Sequence, residues 1–482
     1  MRRGILFFII LLFTAAVCVS LISCGGLGVL MEDKLIFASD GNGGAVLVSV
    51  QGYYGKTVEV PKRSPDGEPT VGIGAEAFAG SGAVAVTLPE GITFIDSRAF
   101  ANCTALRAFH LPDSVSELGM RVFEGCEALS VLTVGEGNSS YYSKNNCIIK
   151  RDGGVLIAGC GGSVIPEGVE QIASGAFYGS SVSGKVSLPD GVTTIGSYAF
   201  YGCDRMAEIA LPDSLTDIGA YAFNGCSALT EIAVPTGVTV LNEGVFRNCT
   251  AIVTADLPEG LTVIGDMAFQ GCVSLVDPVL PESLTKLGGL SFSGCVSFIH
   301  LKIPKNLTYI DETAFDYCDM LWGIKVDGEN PVFRAVTNCL IRRSDGVIVL
   351  GTRGSRIPAE ESVTAIADRA FFGATHIRDL TVPANITSIG KEAFYGCSYL
   401  EWVIIDGECT VGDNAFAHCF TLNAVYISDG VAEMGRGVFI GCTSLESVLI
   451  GAQSVPDGWV SDWNGCGATV QYGCDRPKIE EN

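Results

Sequence analysis

The sequence predicts a mainly β repeat solenoid, in which short parallel strands from successive coils stack side by side. A phenylalanine returns every 22 or 23 residues through most of the 482-residue chain, within a longer recurring motif. Two consecutive copies read LPDGVTTIGSYAFYGCDRM at 188–206 and LPDSLTDIGAYAFNGCSAL at 211–229. Repetition at this period is typical of solenoids, whose units bury their apolar faces only against their neighbours. Such a molecule has a broad surface, which favours binding over catalysis.

We call the recurring residues the marker phenylalanines and expect them to form the core. Fourteen occur, which gives about 14 repeats, and gaps of 54 and 56 residues interrupt their spacing. They are Phe78, Phe100, Phe123, Phe177, Phe200, Phe223, Phe246, Phe269, Phe292, Phe315, Phe371, Phe394, Phe416 and Phe439.

Each coil reads as three segments. Met206, Ile209 and Leu211 share one face of an extended segment, which predicts a strand with one side buried. Pro212 ends that strand, and the following T-x-I predicts a second, shorter one. The G-x-x-A-F-x-G-C segment then closes the coil, and we expect a helical or 3₁₀ turn that points its phenylalanine inward.

The cysteines follow the same period. Of 19 cysteines, eleven lie three residues after a marker phenylalanine: Cys103, Cys126, Cys203, Cys226, Cys249, Cys272, Cys295, Cys318, Cys397, Cys419 and Cys442. Ser81, Ser180 and Ala374 occupy this position elsewhere, and alanine cannot form a disulfide. We therefore predict a buried column of free thiols that act as small apolar groups. Disulfides remain an alternative for two other pairs, Cys147 with Cys160 and Cys466 with Cys474.

The two long gaps are themselves similar. NNCIIKRDGGVLIAGC at 145–160 matches TNCLIRRSDGVIVLGT at 337–352, and each predicts a β-hairpin with a glycine-containing turn. Each insert is expected to add one atypical coil. The predicted boundaries are an N-terminal cap at 34–77, a solenoid at 78–450 with inserts at about 135–170 and 327–363, a C-terminal cap at 451–474 and a disordered tail at 475–482.

The N-terminus resembles a secretory leader. Arg2 and Arg3 precede an apolar run that ends in L-I-S-C at 21–24. This ending resembles the bacterial lipobox, which implies a signal peptide at 1–23, lipidation at Cys24 and a tether at 24–33. The protein is then expected to be exported and lipid-anchored at the cell envelope, exposed on its surface. Ordinary cleavage and an uncleaved anchor are the alternatives.

The motif L-P-x-x-V-T-x-I-G-x-x-A-F-x-G-C-x-x-L resembles the BspA-type leucine-rich repeat family of bacterial surface proteins, over roughly residues 70–450. The resemblance implies a right-handed parallel superhelix, surface display, and adhesion or binding of a protein or glycan of a host or a neighbouring cell. It implies no catalytic residue. A cell-envelope scaffold without a soluble ligand is the alternative function.

Residue chemistry gives few catalytic candidates. The chain has only four histidines and a net charge of −23, which makes nucleic acid an improbable partner. It contains no C-x-x-C pair, and we expect no enzyme activity, metal or other cofactor. Counting outward strand positions gives an acidic row at Glu208, Glu231, Asp256 and Asp277. Near the C-terminus the same count gives an apolar patch that we expect to be solvent-exposed, and either a ligand site or covered by a cap: Trp402, Ile404, Tyr426 and Leu449.

Overall fold

A computed structural model describes residues 33–477 and shows a mainly β parallel solenoid, as predicted. The signal peptide, Cys24 and most of the tether lie outside the described residues. Between residues 33 and 477 every regular element is a strand, and no helix there could cross a membrane.

Thirty-seven strands form the coils. Up to the end of the first insert they are β1 (Lys34–Ser39), β2 (Ala45–Gln51), β3 (Thr57–Glu59), β4 (Thr70–Ile73), β5 (Ala85–Thr87), β6 (Phe94–Ile95), β7 (Ala108–Leu111), β8 (Glu117–Leu118), β9 (Val131–Val134), β10 (Tyr141–Lys144), β11 (Cys147–Lys150) and β12 (Val155–Ala158). Up to the end of the second insert they are β13 (Gln171–Ile172), β14 (Gly184–Ser187), β15 (Thr194–Ile195), β16 (Met206–Ala210), β17 (Asp217–Ile218), β18 (Glu231–Ala233), β19 (Val240–Leu241), β20 (Thr254–Asp256), β21 (Val263–Ile264), β22 (Lys286–Leu287), β23 (His300–Ile303), β24 (Tyr309–Ile310), β25 (Gly323–Val326), β26 (Phe333–Val336), β27 (Cys339–Arg342) and β28 (Val347–Leu350). The remainder are β29 (Ala365–Ile366), β30 (Asp379–Val382), β31 (Ser388–Ile389), β32 (Trp402–Ile405), β33 (Thr410–Val411), β34 (Ala424–Ile427), β35 (Glu433–Met434), β36 (Ser447–Ile450) and β37 (Thr469–Tyr472).

A regular coil contributes one main strand and one short strand, each paired in parallel with its counterpart in the next coil. The main strands β30, β32, β34, β36 and β37 form one such sheet. The short strands β29, β31, β33 and β35 continue a second sheet along another side of the coil. This is the stacking that the 23-residue period predicts.

The turn that carries the marker phenylalanine is not the helical or 3₁₀ turn expected from the sequence. Positive φ recurs two residues before and two residues after the phenylalanine, as at Tyr198 (59°) and Gly202 (68°) around Phe200. Left-handed residues cannot continue a right-handed helix. The glycine of A-F-x-G-C is therefore explained by backbone conformation, and the same position is taken by Asn102 and Asn248 in other coils.

Backbone hydrogen bonds join these turns along the solenoid. The Phe200 amide donates to the Ala222 carbonyl at 2.8 Å, and the Gly202 amide donates to the Asn224 carbonyl at 2.7 Å. The turns thus form a third side of each coil, with its own inter-coil ladder.

The marker phenylalanines form the core spine, as predicted. Phe200, Phe223, Phe246 and Phe269 are fully buried, and their ring centroids follow one another at 5.4–5.6 Å. Nearly parallel rings at this spacing fill the interior of each coil and bury a large apolar area.

The column cysteines are free as expected, and all are buried except the half-buried Cys318, but they do more than fill space. All eleven thiols donate to the carbonyl oxygen of the marker phenylalanine in the preceding regular coil, at 3.0–3.4 Å. These donors include the four cysteines of consecutive coils in the middle of the solenoid: Cys203, Cys226, Cys249 and Cys272. Cys147, Cys160, Cys466 and Cys474 are also free thiols in the structure.

Each insert is a three-stranded meander that joins the solenoid, as the hairpin prediction required. β10 pairs antiparallel with β11, β11 with β12, and β12 then pairs in parallel with β13. The second insert repeats this with β26 to β29. In both, a glycine takes the place of a marker phenylalanine: the Gly159 and Gly351 amides donate to the Ala176 and Ala370 carbonyls of the next coil.

Both ends of the described solenoid are covered. At the start, β1 and β2 form an antiparallel hairpin whose second strand pairs with β4. At the end, the Trp463 ring meets the last marker phenylalanine, Phe439, edge-on at 6.1 Å. Trp459 packs against Trp463 and donates from Nε1 to the Val431 carbonyl at 3.0 Å. These tryptophans shield the terminal coil from water, as a capping unit must.

Candidate binding surface

The structure corrects the expectation that Trp402, Ile404, Tyr426 and Leu449 form a solvent-exposed patch. The alignment is right, because Ile404, Tyr426 and Leu449 are in register on β32, β34 and β36. The exposure is wrong: Ile404 is fully buried, Tyr426 is 7% exposed, and Trp402 and Leu449 are half-buried.

A short C-terminal strap, residues 474–477, lies beside this row. The Arg476 guanidinium binds the Asp406 carboxylate through Nε at 2.9 Å and Nη2 at 3.0 Å. Burial, followed by the nearby charges of Asp406 and Asp429, raises the pKa of Tyr426. Residues 475–477, which the sequence assigns to a disordered tail, are thus tied to the solenoid, and residues 478–482 lie outside the described part.

The exposed aromatic surface lies instead on the turn that follows the marker phenylalanines. We call it the aromatic edge, and it comprises Tyr317, Phe372, Tyr395, His418 and Phe420. Successive ring centroids along it are 5.2, 5.0, 5.0 and 5.8 Å apart. Tyr317 and Phe420, at its two ends, are 50% and 48% exposed. The three rings between them are half-buried, so the edge is a continuous row of stacked rings that is most exposed at its two ends.

More aromatic side chains flank the edge. Trp322 and Tyr399 are 52% and 62% exposed. The Arg353 guanidinium lies 5.8 Å from the Trp322 ring centroid, and the His376 ring stacks on Tyr399 at 5.9 Å. Burial and the positive charge of Arg353 lower the pKa of His376, so this ring is neutral at pH 7.

An ion-pair network, in which Asp316 is buried and Arg369 and Glu392 are half-buried, supports the edge. Arg369 pairs with Asp316 and Glu392, and its guanidinium lies 3.5 Å from the centroid of the Phe372 ring. Asp316 is 4% exposed, and burial raises its pKa to about 6 despite the opposing hydrogen bond and charge of Arg369. The network fixes the position of Phe372 in the row.

Sequence reasoning missed the aromatic edge because it counted only outward positions of the strands. The relevant positions lie one, two and four residues after a marker phenylalanine. An aromatic residue directly follows the marker in four coils, and these repeated doublets are the signal that was available: Tyr178, Tyr201, Phe372 and Tyr395.

The predicted acidic row divides into two parts. Glu208, Glu231 and Asp256 are exposed on the main strands, as expected. Asp277 is half-buried and accepts hydrogen bonds from the backbone of the next coil. Within residues 33–477, no group of three or more His, Cys, Asp or Glu side chains is arranged to hold a metal ion.

The repeats match a known family. The model of the BspA type leucine-rich repeat region matches residues 71–148, 162–275, 242–333 and 353–456, which together cover most of the chain. The chain belongs to the BspA-type leucine-rich repeat family. In this member of the family, the phenylalanine, glycine and cysteine of the motif serve as core ring, left-handed turn residue and thiol donor.

The chain is similar to several solved bacterial leucine-rich repeat proteins. A leucine-rich repeat protein from Bacteroides ovatus has 20% identity and a TM-score of 0.49 over 91% of this chain and 98% of that one. A leucine rich cell surface protein from Faecalibacterium prausnitzii has 20% identity and a TM-score of 0.42 over 92% and 94%. The pneumococcal vaccine antigen PcpA has 13% identity and a TM-score of 0.35 over 92% and 86%. No curated protein matches the chain.

Proposed function

We propose that this BspA-type protein is exported, lipid-anchored through Cys24 and displayed on the cell surface as a non-enzymatic binding protein or adhesin. Its partner is a protein or glycan of a host or neighbouring cell. The observation that carries the proposal is the aromatic edge, a row of exposed and half-buried rings at one side of the solenoid. The description of a similar Faecalibacterium prausnitzii protein as a cell surface protein agrees with this location.

Exposing the rings of the aromatic edge to water costs free energy. Water-exposed aromatic rings in a contiguous row are unfavourable unless a partner covers them. Tyrosine, tryptophan and phenylalanine are large and rigid, so they contribute much contact area for little lost side-chain entropy. They also stack on sugar rings. The edge therefore suits either a protein or a glycan surface.

The environment of Asp316, a carboxyl group with a raised pKa, supports binding over catalysis. Asp316 has the raised pKa expected of a catalytic acid, but it is engaged by Arg369. The cavity beside it has a volume of about 30 Å³, roughly the share of one water molecule. This carboxyl group is buried and paired, which does not favour contact with a substrate.

A binding screen against host matrix proteins and glycans tests the role of the edge. The double variant Tyr317→Ala/Phe420→Ala should weaken any binding found by at least tenfold, because exposed aromatic anchors dominate such contacts. Tyr54→Ala is the matched control, since Tyr54 is 68% exposed but lies in the N-terminal cap. Equal binding by the double variant and wild type would refute the role of the edge.

Cell fractionation tests the anchor and the location. Protease added to intact cells should remove the wild-type protein, and Cys24→Ala should release the protein into the medium. Crosslinking in cells separates adhesion from the scaffold alternative, because a scaffold would capture only neighbouring proteins of the envelope. Wild-type protein that resists protease on intact cells would contradict surface display.

A further inference from the structure

A break in the main-strand sheet creates a second surface feature, in the middle of the chain. Residues 276–280 form no strand between β20 and β23, and Pro278 occupies a position where other coils have a strand residue. Proline has no amide hydrogen to donate and is found at sheet edges or bulges. The sequence carried this signal, because Pro278 interrupts a predicted strand.

The Asp277 carboxylate accepts hydrogen bonds from the next coil at the point where the strand is interrupted. The residue has a positive φ of 34°, and its Oδ1 accepts the amides of Ile299 and His300 at 2.7 Å each. Its Oδ2 lies 3.0 Å from the His300 Nδ1. Burial acts against ionisation, but these hydrogen bonds outweigh it and lower the pKa of Asp277. The carboxylate thus replaces a backbone carbonyl, and its charge is held by three donors.

A cavity of about 300 Å³ opens beside the break. Leu280 and Ile324 are buried at its apolar base, and Val279 is 77% exposed at its side. Gly323 contributes no side chain to the strand face there, which leaves the space open. Asn338, at the tip of the second insert, borders the opposite side. This volume is at the lower end of the range for small-molecule sites.

Two lysines border the cavity. Lys302 and Lys325 are directly paired in register on the neighbouring parallel strands β23 and β25, and both are exposed. Lys302 lies 3.6 Å from Glu282, whereas Lys325 has no ion-pair partner among residues 33–477. Like charges placed opposite each other are unfavourable. The Asp277 carboxylate also borders the cavity but is bound by His300, and Glu282 engages Lys302, so Lys325 is the cation left to bind an anion there.

We infer that this cavity binds a carboxylated, N-acylated sugar, presented at the end of an acidic glycan. The carboxylate would lie between the two lysine ammonium groups and relieve their repulsion. The acyl methyl group and the C–H face of the sugar would contact Val279, Leu280 and Ile324. Asn338 can hydrogen-bond a hydroxyl or amide group. A neutral sugar would leave Lys325 unpaired, which gives the site its specificity.

This inference extends the proposed binding role to a separate surface. The cavity lies on the main strands, away from the turns that carry the aromatic edge. Loss of binding at one surface therefore leaves the other unaffected, and the two proposals can fail independently.

Calorimetric or NMR titration of the purified full chain tests the site. The probe is N-acetylneuraminic acid, and the comparison ligands are neutral N-acetylglucosamine and sodium acetate. We expect the acidic sugar to bind at least tenfold more tightly than either one. Lys325→Gln should weaken its binding about tenfold, or 1.4 kcal/mol, by removing one charged contact. Gly323→Val should abolish binding by filling the cavity.

Lys185→Gln is the matched control, because Lys185 lies on the outer face of main strand β14 with similar exposure and an acidic neighbour. It should bind like wild type. Circular dichroism melts of each variant show that the fold is retained. Failure of the acidic sugar to bind, equal affinity for acetate or neutral sugar, or unchanged affinity in Lys325→Gln and Gly323→Val would overturn the inference.

Discussion

Each carbonyl oxygen of a marker phenylalanine can accept two hydrogen bonds. The Phe200 oxygen accepts the Cys203 amide within its own coil at 3.1 Å and the Cys226 thiol of the next coil at 3.2 Å. Cysteine thus combines a small buried volume with a weak donor that reaches back one coil. Alanine would fill less space and leave one lone pair unused.

Cys226→Ala should therefore destabilise the protein modestly. The substitution removes a buried sulfur and its hydrogen bond, so we expect a loss of about 1–2 kcal/mol in the free energy of unfolding. Urea denaturation followed by circular dichroism measures it. Cys474→Ala, outside the column and half-buried, is the control and should change stability by less than about 0.5 kcal/mol. Equal effects of the two substitutions would contradict a role for the column.

Asp316 should give stability a specific pH dependence. Its pKa is about 6 in the folded protein, against the ordinary aspartate value of 3.8 in the unfolded chain, so the folded state holds the proton more tightly. The free energy of unfolding should then fall as the pH rises from about 4 to about 6, by roughly 2–3 kcal/mol from this group. Asp316→Asn cannot titrate and should lack this component.

Thermal melts of wild type and Asp316→Asn at matched pH values isolate that component from all other carboxylates. The difference in stability between the two proteins should change between pH 4 and 6 and be constant above pH 7. A constant difference across the whole range would show that Arg369 keeps Asp316 ionised throughout.

Residue identity alone predicted the core but not the exposure of outward positions. Phe200 and Cys203 recur with the period, and a period fixes which face is inward. Tyr426 lies on the strand face that the sequence predicts. An ion pair of Arg476 with Asp406, however, brings the C-terminal strap beside it. A contact over 70 residues of sequence follows no local pattern and could not be read from the repeat.

At the scale of elements, the central strand of each insert separates two cores. In β11, Cys147 and Ile149 pack into the core that follows, whereas Ile148 packs into the core that precedes. In β27, Cys339 and Leu340 divide in the same way. A strand buried on both faces reads as a continuous apolar run, as in CII at 147–149 and CLI at 339–341. The hairpins were predictable, but their role as partitions required the packing.

The insert glycines should be intolerant of any side chain. A Cβ at Gly351 would lie 1.8 Å from the Phe371 ring, which stacks on Phe394 at 4.8 Å. Gly351→Ala must therefore displace a buried ring, and we expect a loss of more than about 2 kcal/mol. Gly328→Ala, in the same insert, meets no atom within 4 Å and is the control. Differential scanning calorimetry should show a lower Tm only for Gly351→Ala.

The turn type and the aromatic edge show why other elements were mispredicted. A-F-x-G-C fits a helical turn by composition, but left-handed residues at Tyr198 and Gly202 rule it out. A tyrosine at a left-handed position has no local signature, since β-turn preferences favour glycine and asparagine there. It is held by inter-coil hydrogen bonds, which exist only in the assembled solenoid.

For the whole molecule, the partitions divide one solenoid into three hydrophobic blocks. The first extends from Leu47 to Cys160, the second from Cys147 to Leu340, and the third from Cys339 to Trp463. In a solenoid each unit is stabilised by its neighbours, so weak interfaces separate cooperative units. We expect each block to unfold as a unit, with boundaries at the inserts.

Opening the C-terminal cap should unfold the third block alone. Trp463 is 6% exposed and covers the last marker phenylalanine, so Trp463→Ala should cost about 3–5 kcal/mol. Buried thiols report the result, because burial raises their pKa and blocks reagents, as at Cys409, where the pKa is about 12. Pulsed alkylation with mass spectrometry in mild urea should label Cys397 and Cys419 together.

The comparison of thiol labelling on the two sides of strand β27 decides whether the blocks unfold separately. Cys226 and Cys272, in the second block, should stay unlabelled at the urea concentration that exposes Cys419, because the partition strand β27 keeps its other face packed on that block. Trp322→Ala removes an exposed tryptophan and should leave the labelling of every block as in wild type. Labelling of all three blocks at one urea concentration would show a single cooperative unit. Labelling confined to the last coil, at Cys442 alone, would show simple fraying and no partition.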